Sequence, residues 1–251
     1  MAHPAPADEN KGHEAMQTPE ALNAAFVSGD PHGVLVESLR FAEIASVLDI
    51  GCGAGAFVSR LIGEGFAAAG VDPNPVAIDK AREKLAEAKF VIAAAEDLPF
   101  DDGSFDAAVF LNSLHHVPVE AMGAALEEAR RIVGKGGTIL IVEPLAEGSS
   151  FEVMRPVEDE SAIRHLAGAA IADAVRDGQV VLRGNVVFNH ATRPAGVDEF
   201  LARLVAVDPA RAPAADSHRE EVERLFHEKA VREEGGFRLD QPLRIYWLVN
   251  E

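Results

Sequence analysis

Short apolar runs bounded by glycine, proline or acids recur along this chain, and between them apolar residues return every three or four positions. The runs predict strands at 46–50, 67–71, 89–94, 105–111 and 138–142. The periodic stretches predict helices at 57–62, 76–87 and 119–133, with two more, 20–27 and 32–43, ahead of the first strand. Such alternation is that of a parallel sheet with helices on both faces. Near the end, 237–239 and 243–249 read as two strands divided by Asp240-Gln241-Pro242. The stretch from Leu145 to about Glu220 is too long for a plain connection. In it Ile163, Leu166, Ala167, Ala170, Ile171, Ala174 and Val175 make one face of an amphipathic helix. Then 179–190 reads as extended chain turning at Gly184-Asn185, a helix follows near 197–205, and 209–217 reads as a linker into a last helix carrying Val222, Leu225 and Phe226.

The segment from Val47 to Phe57 carries the most chemistry, because a buried strand breaks there into a glycine loop that opens a helix. Gly51, Gly53 and Gly55 remove the side chains that would hold a ligand off the backbone, and they permit the positive φ of a tight turn. A nucleoside-like molecule can then lie against main chain. Asp49 ends the strand, where its carboxylate can hold the loop or meet a cation. Asp72 ends the next strand about 20 residues after Gly51, the interval at which an acid reaches ribose hydroxyls. Gly51, Gly53 and Ala56 also satisfy the relaxed dinucleotide fingerprint, so these features alone leave a nicotinamide ligand open.

Further on come Ala95-Glu96-Asp97-Leu98-Pro99-Phe100-Asp101-Asp102-Gly103-Ser104-Phe105-Asp106 and Asn112-Ser113-Leu114-His115-His116-Val117. With the D-x-G-x-G-x-G loop, the strand-end Asp72 and these two blocks in this order, the chain resembles the class I S-adenosylmethionine-dependent methyltransferases. It is most similar to the small-molecule group that includes the ubiquinone and menaquinone biosynthesis enzymes, over about Ser46 to Glu143 and the last strand. The resemblance implies an α/β fold: a Rossmann-like seven-stranded sheet, mostly parallel with the last strand antiparallel between its neighbours, helices on both faces, and an inserted cap. It implies S-adenosyl-L-methionine as cofactor and in-line methyl transfer to a small-molecule acceptor. Gly51, Gly53 and Gly55 would face the methionine moiety, with Asp49 touching it or fixing the loop, and Asp72 the ribose. Pro73 and Asn74 would flank the adenine, or else simply start the helix at Pro75. Where the family often has Asp or Asn against the adenine amino group this chain has Ala94, so that contact passes to Ala95 and Glu96. Asn112 would lie near the methyl donor.

Methyl transfer from a sulfonium asks mainly for an acceptor lone pair held in line, at roughly 3–3.5 Å, and for a base only where the acceptor must lose a proton early. His115 and Glu143 are the catalytic candidates, with His116 behind them. Arg155, Arg164 and His190 are candidates for an anionic acceptor.

Composition narrows this further. At 251 residues, 48% hydrophobic and 25% charged, the chain suits one α/β domain with an elaboration. The expected organisation is a loose tail over 1–19, N-terminal helices and donor-binding core over 20–144, a cap or lid over 145–216, and the last helix with the closing strands over 217–251. The cap either builds the acceptor pocket or serves dimerisation, and a homodimer is the assembly considered. A net charge of −18 without a basic cluster disfavours nucleic acid. No apolar run approaches the ~18 residues of a membrane span, and the start carries no basic or apolar leader, so a cytoplasmic protein is expected. The single cysteine, Cys52, excludes an internal disulfide, and no metal site is expected. Tyr246 and Trp247, the only Tyr and Trp, are expected in packing. Two other functions stand beside methyl transfer: a non-catalytic cofactor-binding regulator, and a nicotinamide-dependent oxidoreductase, which the second and third motifs disfavour.

Overall fold

The structure, a computed structural model, describes residues 19–251. Helices α1 (Pro19–Ser28) and α2 (Pro31–Phe41) lead into β1 (Ser46–Ile50), α3 (Ala56–Gly63), β2 (Ala67–Asp72), α4 (Pro75–Lys84), β3 (Lys89–Ile92), β4 (Ala107–Leu111), α5 (Met122–Val133) and β5 (Thr138–Pro144). Then follow α6 (Ser149–Met154), α7 (Ser161–Arg176), β6 (Val181–Thr192), α8 (Val197–Val207), α9 (Ala212–Ser217), α10 (Arg219–Lys229), β7 (Val231–Glu233) and β8 (Gly236–Val249). The sheet order is β3-β2-β1-β4-β5-β8-β6, with β7 paired to β8. β1 to β5 run parallel, and β8 lies antiparallel between β5 and β6. This is a Rossmann-like α/β sheet.

Strand alternation sorts the apolar residues into two cores. Leu48, Ile50, Ala108, Phe110, Ile139 and Ile141 pack with α5 and α7 on one face. Val47, Ala107, Val109, Leu140 and Val142 pack with α2 and α3 on the other. The chain leaves β1 toward β2 and β3, then returns to β4 on its other side. A crevice forms at such a reversal, outside the strands' carboxyl ends. The acidic block after β3 turns out to be a clamp: Arg131 donates to the carbonyls of Leu98 (2.9 Å) and Phe100 (2.6 Å), while Glu128 accepts from the Leu98 amide (2.8 Å). That motif therefore fixes the loop behind the crevice.

The main path of the sheet holds seven strands, as expected, and a short eighth, β7, hairpins onto β8 outside it. Several expectations need correction. The two closing strands are one, since β8 runs unbroken through Asp240-Gln241-Pro242, with Pro242 paired to Asn189 of β6 and its carbonyl accepting from the Leu145 amide at 2.9 Å. The expected turn at Gly184-Asn185 is instead an irregularity between Leu182 and Gly184 in a continuous strand, β6. The cap expected over 145–216 is therefore divided. β6 is part of the main sheet, and α7 buries Ala167, Ile171 and Ala174 in the sheet core. A third apolar cluster joins α6, α8, α9 and α10 around Phe151, Phe200, Val222 and Phe226 and packs them on Leu239 of β8. The segment 209–217 is helical, a 3-10 turn running into α9. The tail expected over 1–19 lies outside the described residues save Pro19, which begins α1. Among the described residues no helix is long and apolar enough to cross a membrane, and no group of three or more His, Cys, Asp or Glu is placed to hold a metal.

Candidate functional site

The turn after β1 is built by backbone geometry that only glycine adopts easily. Gly51, Gly53 and Gly55 all have positive φ, at 79°, 52° and 76°. They do different work. A Cβ on Gly51 would stand 2.5 Å from the Ser113 Cβ, and one on Gly55 would stand 2.8 Å from the Phe90 ring. Around Gly53 nothing lies within 4 Å of the Cβ position. Gly51 and Gly55 thus allow close packing of the loop on β4's end and on β3, and Gly53 leaves open space for a ligand.

Asp72 secures this loop from the next strand. Its Oδ2 accepts from the Gly53 amide and its Oδ1 from the Asn74 amide, both at 2.9 Å. Asn74 in turn caps α4, its Oδ1 accepting from the Val76 amide at 3.0 Å with Pro75 starting the helix. Asp49 shares β1's face with Val47, only 2% exposed, and its side chain makes no hydrogen bond among the described residues. Burial, and then the nearby Asp72 charge, push its carboxyl up to about 7. Cys52 is buried beside Gly70, and burial with the two acids pushes its thiol up, so it is an inert packing residue.

A cavity of ≈720 Å³ opens over this turn at the carboxyl ends of β1, β2 and β4. Its floor is Gly51, Gly53 and Asp72, and one side is Pro73, Asn74, Ala94, Ala95 and Glu96. The other side is Asn112, Ser113, His116 and Val117, and the cap contributes Val207, Asp208 and Pro209. Of the expected cofactor residues, Gly51, Gly53, Asp72, Pro73, Ala95, Glu96 and Asn112 line it. Asp49 and Gly55 do not line it. Asn112 has φ of 53°, a left-handed conformation that Asn tolerates and that turns the chain at the cavity wall while its amide bonds the Val142 carbonyl at 2.8 Å.

The expected bases sit differently from the expectation. His115 and Glu143 are each 5% exposed and do not line the cavity. They bind each other through Nδ1 and Oε2, and Glu143 Oε1 accepts from the Leu114 amide at 3.0 Å. Both carboxylate oxygens are therefore committed to holding the Leu114–His116 turn. His116 is the imidazole that reaches the cavity, and burial and the adjacent His115 push it below the ordinary histidine value. Two neighbouring residues of a 3-10 turn face different ways, which no spacing rule distinguishes. Arg155, Arg164 and His190 line no part of this cavity. Arg164 donates to Glu160 Oε2 and to the Leu145 carbonyl, and His190 Nδ1 bonds the Gly29 carbonyl at 2.9 Å.

Ser113 was not singled out for the site, nor were Val207–Pro209 as residues, although they fall in the stretch expected to cap it. Ser113 Oγ donates to the Ile50 carbonyl at 2.6 Å, tying β4's end to β1's. A serine directly after the turn's Asn112 was the available signal. The cap residues had none, because only folding brings them back over β1.

Comparison with known proteins agrees with this geometry. Residues 48–141 match the family model described as a methyltransferase domain. An uncharacterized methyltransferase of Synechocystis is 30% identical over 45% of this chain and 53% of its own length. Tocopherol O-methyltransferase of Arabidopsis thaliana is 35% identical over 43% of this chain and 35% of its own. Malonyl-[acyl-carrier protein] O-methyltransferase of Erwinia pyrifoliae is 34% identical over 47% and 44%. The chain spans about half the length, or less, of these curated relatives. Among solved structures, the YcgJ protein of a Bacillus superposes with a TM-score of 0.58 at 20% identity, covering 88% of this chain and 98% of that one. The [4+2]-cyclase SpnF superposes at 0.55 and 17%, covering 82% and 75%. Likeness of this order shows the fold, and the cyclase shows that the fold alone does not fix the reaction.

Proposed function

We propose that this chain, which carries a methyltransferase domain over residues 48–141, transfers the methyl group of S-adenosyl-L-methionine to a small-molecule acceptor. The observation that carries the reading is the cavity over the glycine turn, where an open Gly53, a strand-end carboxylate at Asp72 and the Ala95-Glu96 wall converge.

The residues present fit the cofactor on their own chemistry. Asp49 is a buried carboxylate without a hydrogen-bond partner among the described residues, the setting in which an ammonium would be most stabilising. Asp72 keeps free lone pairs toward the cavity after bonding two amides, enough for a sugar diol. Glu96 lines the cavity and takes the place left by Ala94 at the adenine. The bound cofactor supplies an already activated methyl electrophile. The chain's part is then to bind, orient and exclude water: the turn and β2's end fix the donor, and Asn112, Val117 and Val207–Pro209 enclose the acceptor's side. Where the acceptor carries a proton, His116 is the base, and His115 with Glu143 positions it from behind. The strongly acidic composition speaks for a small molecule rather than a nucleic acid. A homodimer paired along the exposed, 12-residue β6 edge is the assembly that the sheet fits, checked by sedimentation.

The test is calorimetric titration with S-adenosylhomocysteine and NAD, followed by transfer of a labelled methyl group into a cell extract. Binding of the first and not the second, with transfer, is expected. Tight binding without any transfer would instead favour the regulatory role. Asp72→Ala should weaken S-adenosylhomocysteine by about 2–3 kcal/mol, or 30- to 150-fold, since charge-assisted bonds to the sugar are lost and the Gly53 amide is released.

A further inference from the structure

A second cavity, ≈680 Å³, lies between α7 and the β8–β6 side of the sheet and shares no lining residue with the donor cavity. Its charge is of one sign. The charged side chains that line it are Arg164, Arg176 and Arg244, and no Asp or Glu does so, in a chain with 41 acidic and 23 basic residues. Two of the arginines are already neutralised, Arg164 by Glu160 and Arg176 by Asp173 and Asp177.

Arg244 is not. Its Nε is buried without a hydrogen-bond partner, and its guanidinium forms no ion pair among the described residues. The acid nearest by register is Glu143, directly opposite on β5, and both its oxygens are held by the Leu114 amide and His115. A part-exposed, fork-shaped donor with a buried, unpartnered Nε is thus left without an acid to pair with, on the wall of a cavity of small-ligand size. Two residues along the same face of β8, the Tyr246 ring stands with its centroid 5.9 Å from that guanidinium. Ile171, Val175 and Leu182 continue the wall as apolar surface.

We propose that this cavity is a second ligand site, taking a monocarboxylate with an apolar body. The carboxylate pairs with Arg244, whose planar fork matches it bidentately, and the body lies along Tyr246, Ile171, Val175 and Leu182. A single uncompensated cation selects a single negative charge, which favours a carboxylate over a phosphate ester. The body is an acyl chain or an aryl group, and the probes below separate the two.

The experiment is calorimetric titration of the full chain with decanoate and with 4-phenylbutanoate, using decylamine as the charge-reversed control. Saturable binding of at least one carboxylate is expected, with decylamine at least tenfold weaker, and the tighter carboxylate names the body. Arg244→Gln should weaken the carboxylate at least tenfold and Arg244→Lys less, with S-adenosylhomocysteine affinity within twofold of the parent in both. Leu182→Glu, at a half-exposed strand position whose change leaves the core intact, should weaken it similarly through repulsion. No binding of either carboxylate, equal binding of decylamine, or unchanged binding in a folded Arg244→Gln or in Leu182→Glu would overturn the proposal. Because the readout needs neither donor nor methyl transfer, its failure is separate from failure of the methyltransferase reading.

Discussion

Asp49 shows how one buried side chain ties binding to protonation. Its carboxyl, raised to about 7, keeps its proton in the native state over a range where the unfolded chain has lost it. Stability from this group is therefore complete below the unfolded value of 3.8, falls as pH rises toward about 7, and is level above that. A cationic ligand reverses the balance by favouring the carboxylate. At pH 6, S-adenosylhomocysteine binding should release about one proton, seen as a buffer-dependent heat in calorimetry, and at pH 8 that dependence should vanish. A heat independent of buffer at pH 6 would remove Asp49 from the ligand's ammonium. For His116, whose pKa is lowered, His116→Gln should reduce kcat by about 10²-fold for a protic acceptor while cofactor affinity stays within twofold. An acid limb of the kcat profile below the ordinary histidine value should disappear in the same variant. The sequence marked both residues as chemistry, yet it ranked His115 first, since which imidazole of a turn faces inward depends on Glu143 across the sheet.

Among the elements, α7 decides how the cap meets the core. Glu160, just before it, accepts from Arg164 at 2.6 and 2.9 Å and from Arg211 at 2.8 Å, and Arg164 also bonds the Leu145 carbonyl at 2.8 Å. Burial alone would push Glu160 up, but the two guanidiniums and His115 hold it below the ordinary glutamate value. Removing one partner of such a cluster leaves buried charge unpaired. Glu160→Ala should therefore destabilise by about 3–5 kcal/mol in chemical denaturation, more than Glu160→Gln. The amphipathic period of α7 was legible from sequence, and so were β1 to β5 and their helices, because each carries its own apolar signature. β6 was read as cap because most of its side chains are exposed and it is held by main-chain pairing with β8, which leaves no mark in residue type.

For the molecule as a whole, a ligand seated where sheet and cap meet should stabilise both together. At 100 times its dissociation constant, S-adenosylhomocysteine should add about 2.7 kcal/mol and raise Tm by roughly 5–11 °C. Asp72→Ala should lose most of that shift at the same ligand concentration in differential scanning calorimetry. The two sheet cores and the cap core were foreseeable in kind, since length and apolar content allow them and alternation demands them. Local chemistry was written in the chain: glycine at 51, 53 and 55 for a turn of positive φ, acids at two strand ends, and an α/β alternation that can pack in few ways. Contacts between distant segments were not. That Asp208 and Gly51 line one cavity, that Glu143 is taken up by His115, and that the Nε of Arg244 is left without a hydrogen-bond partner are facts of which side chains share a volume. Propensity and periodicity act over neighbours along the chain, whereas burial, pairing and the shape of a cavity are set by residues that only the packed fold brings together.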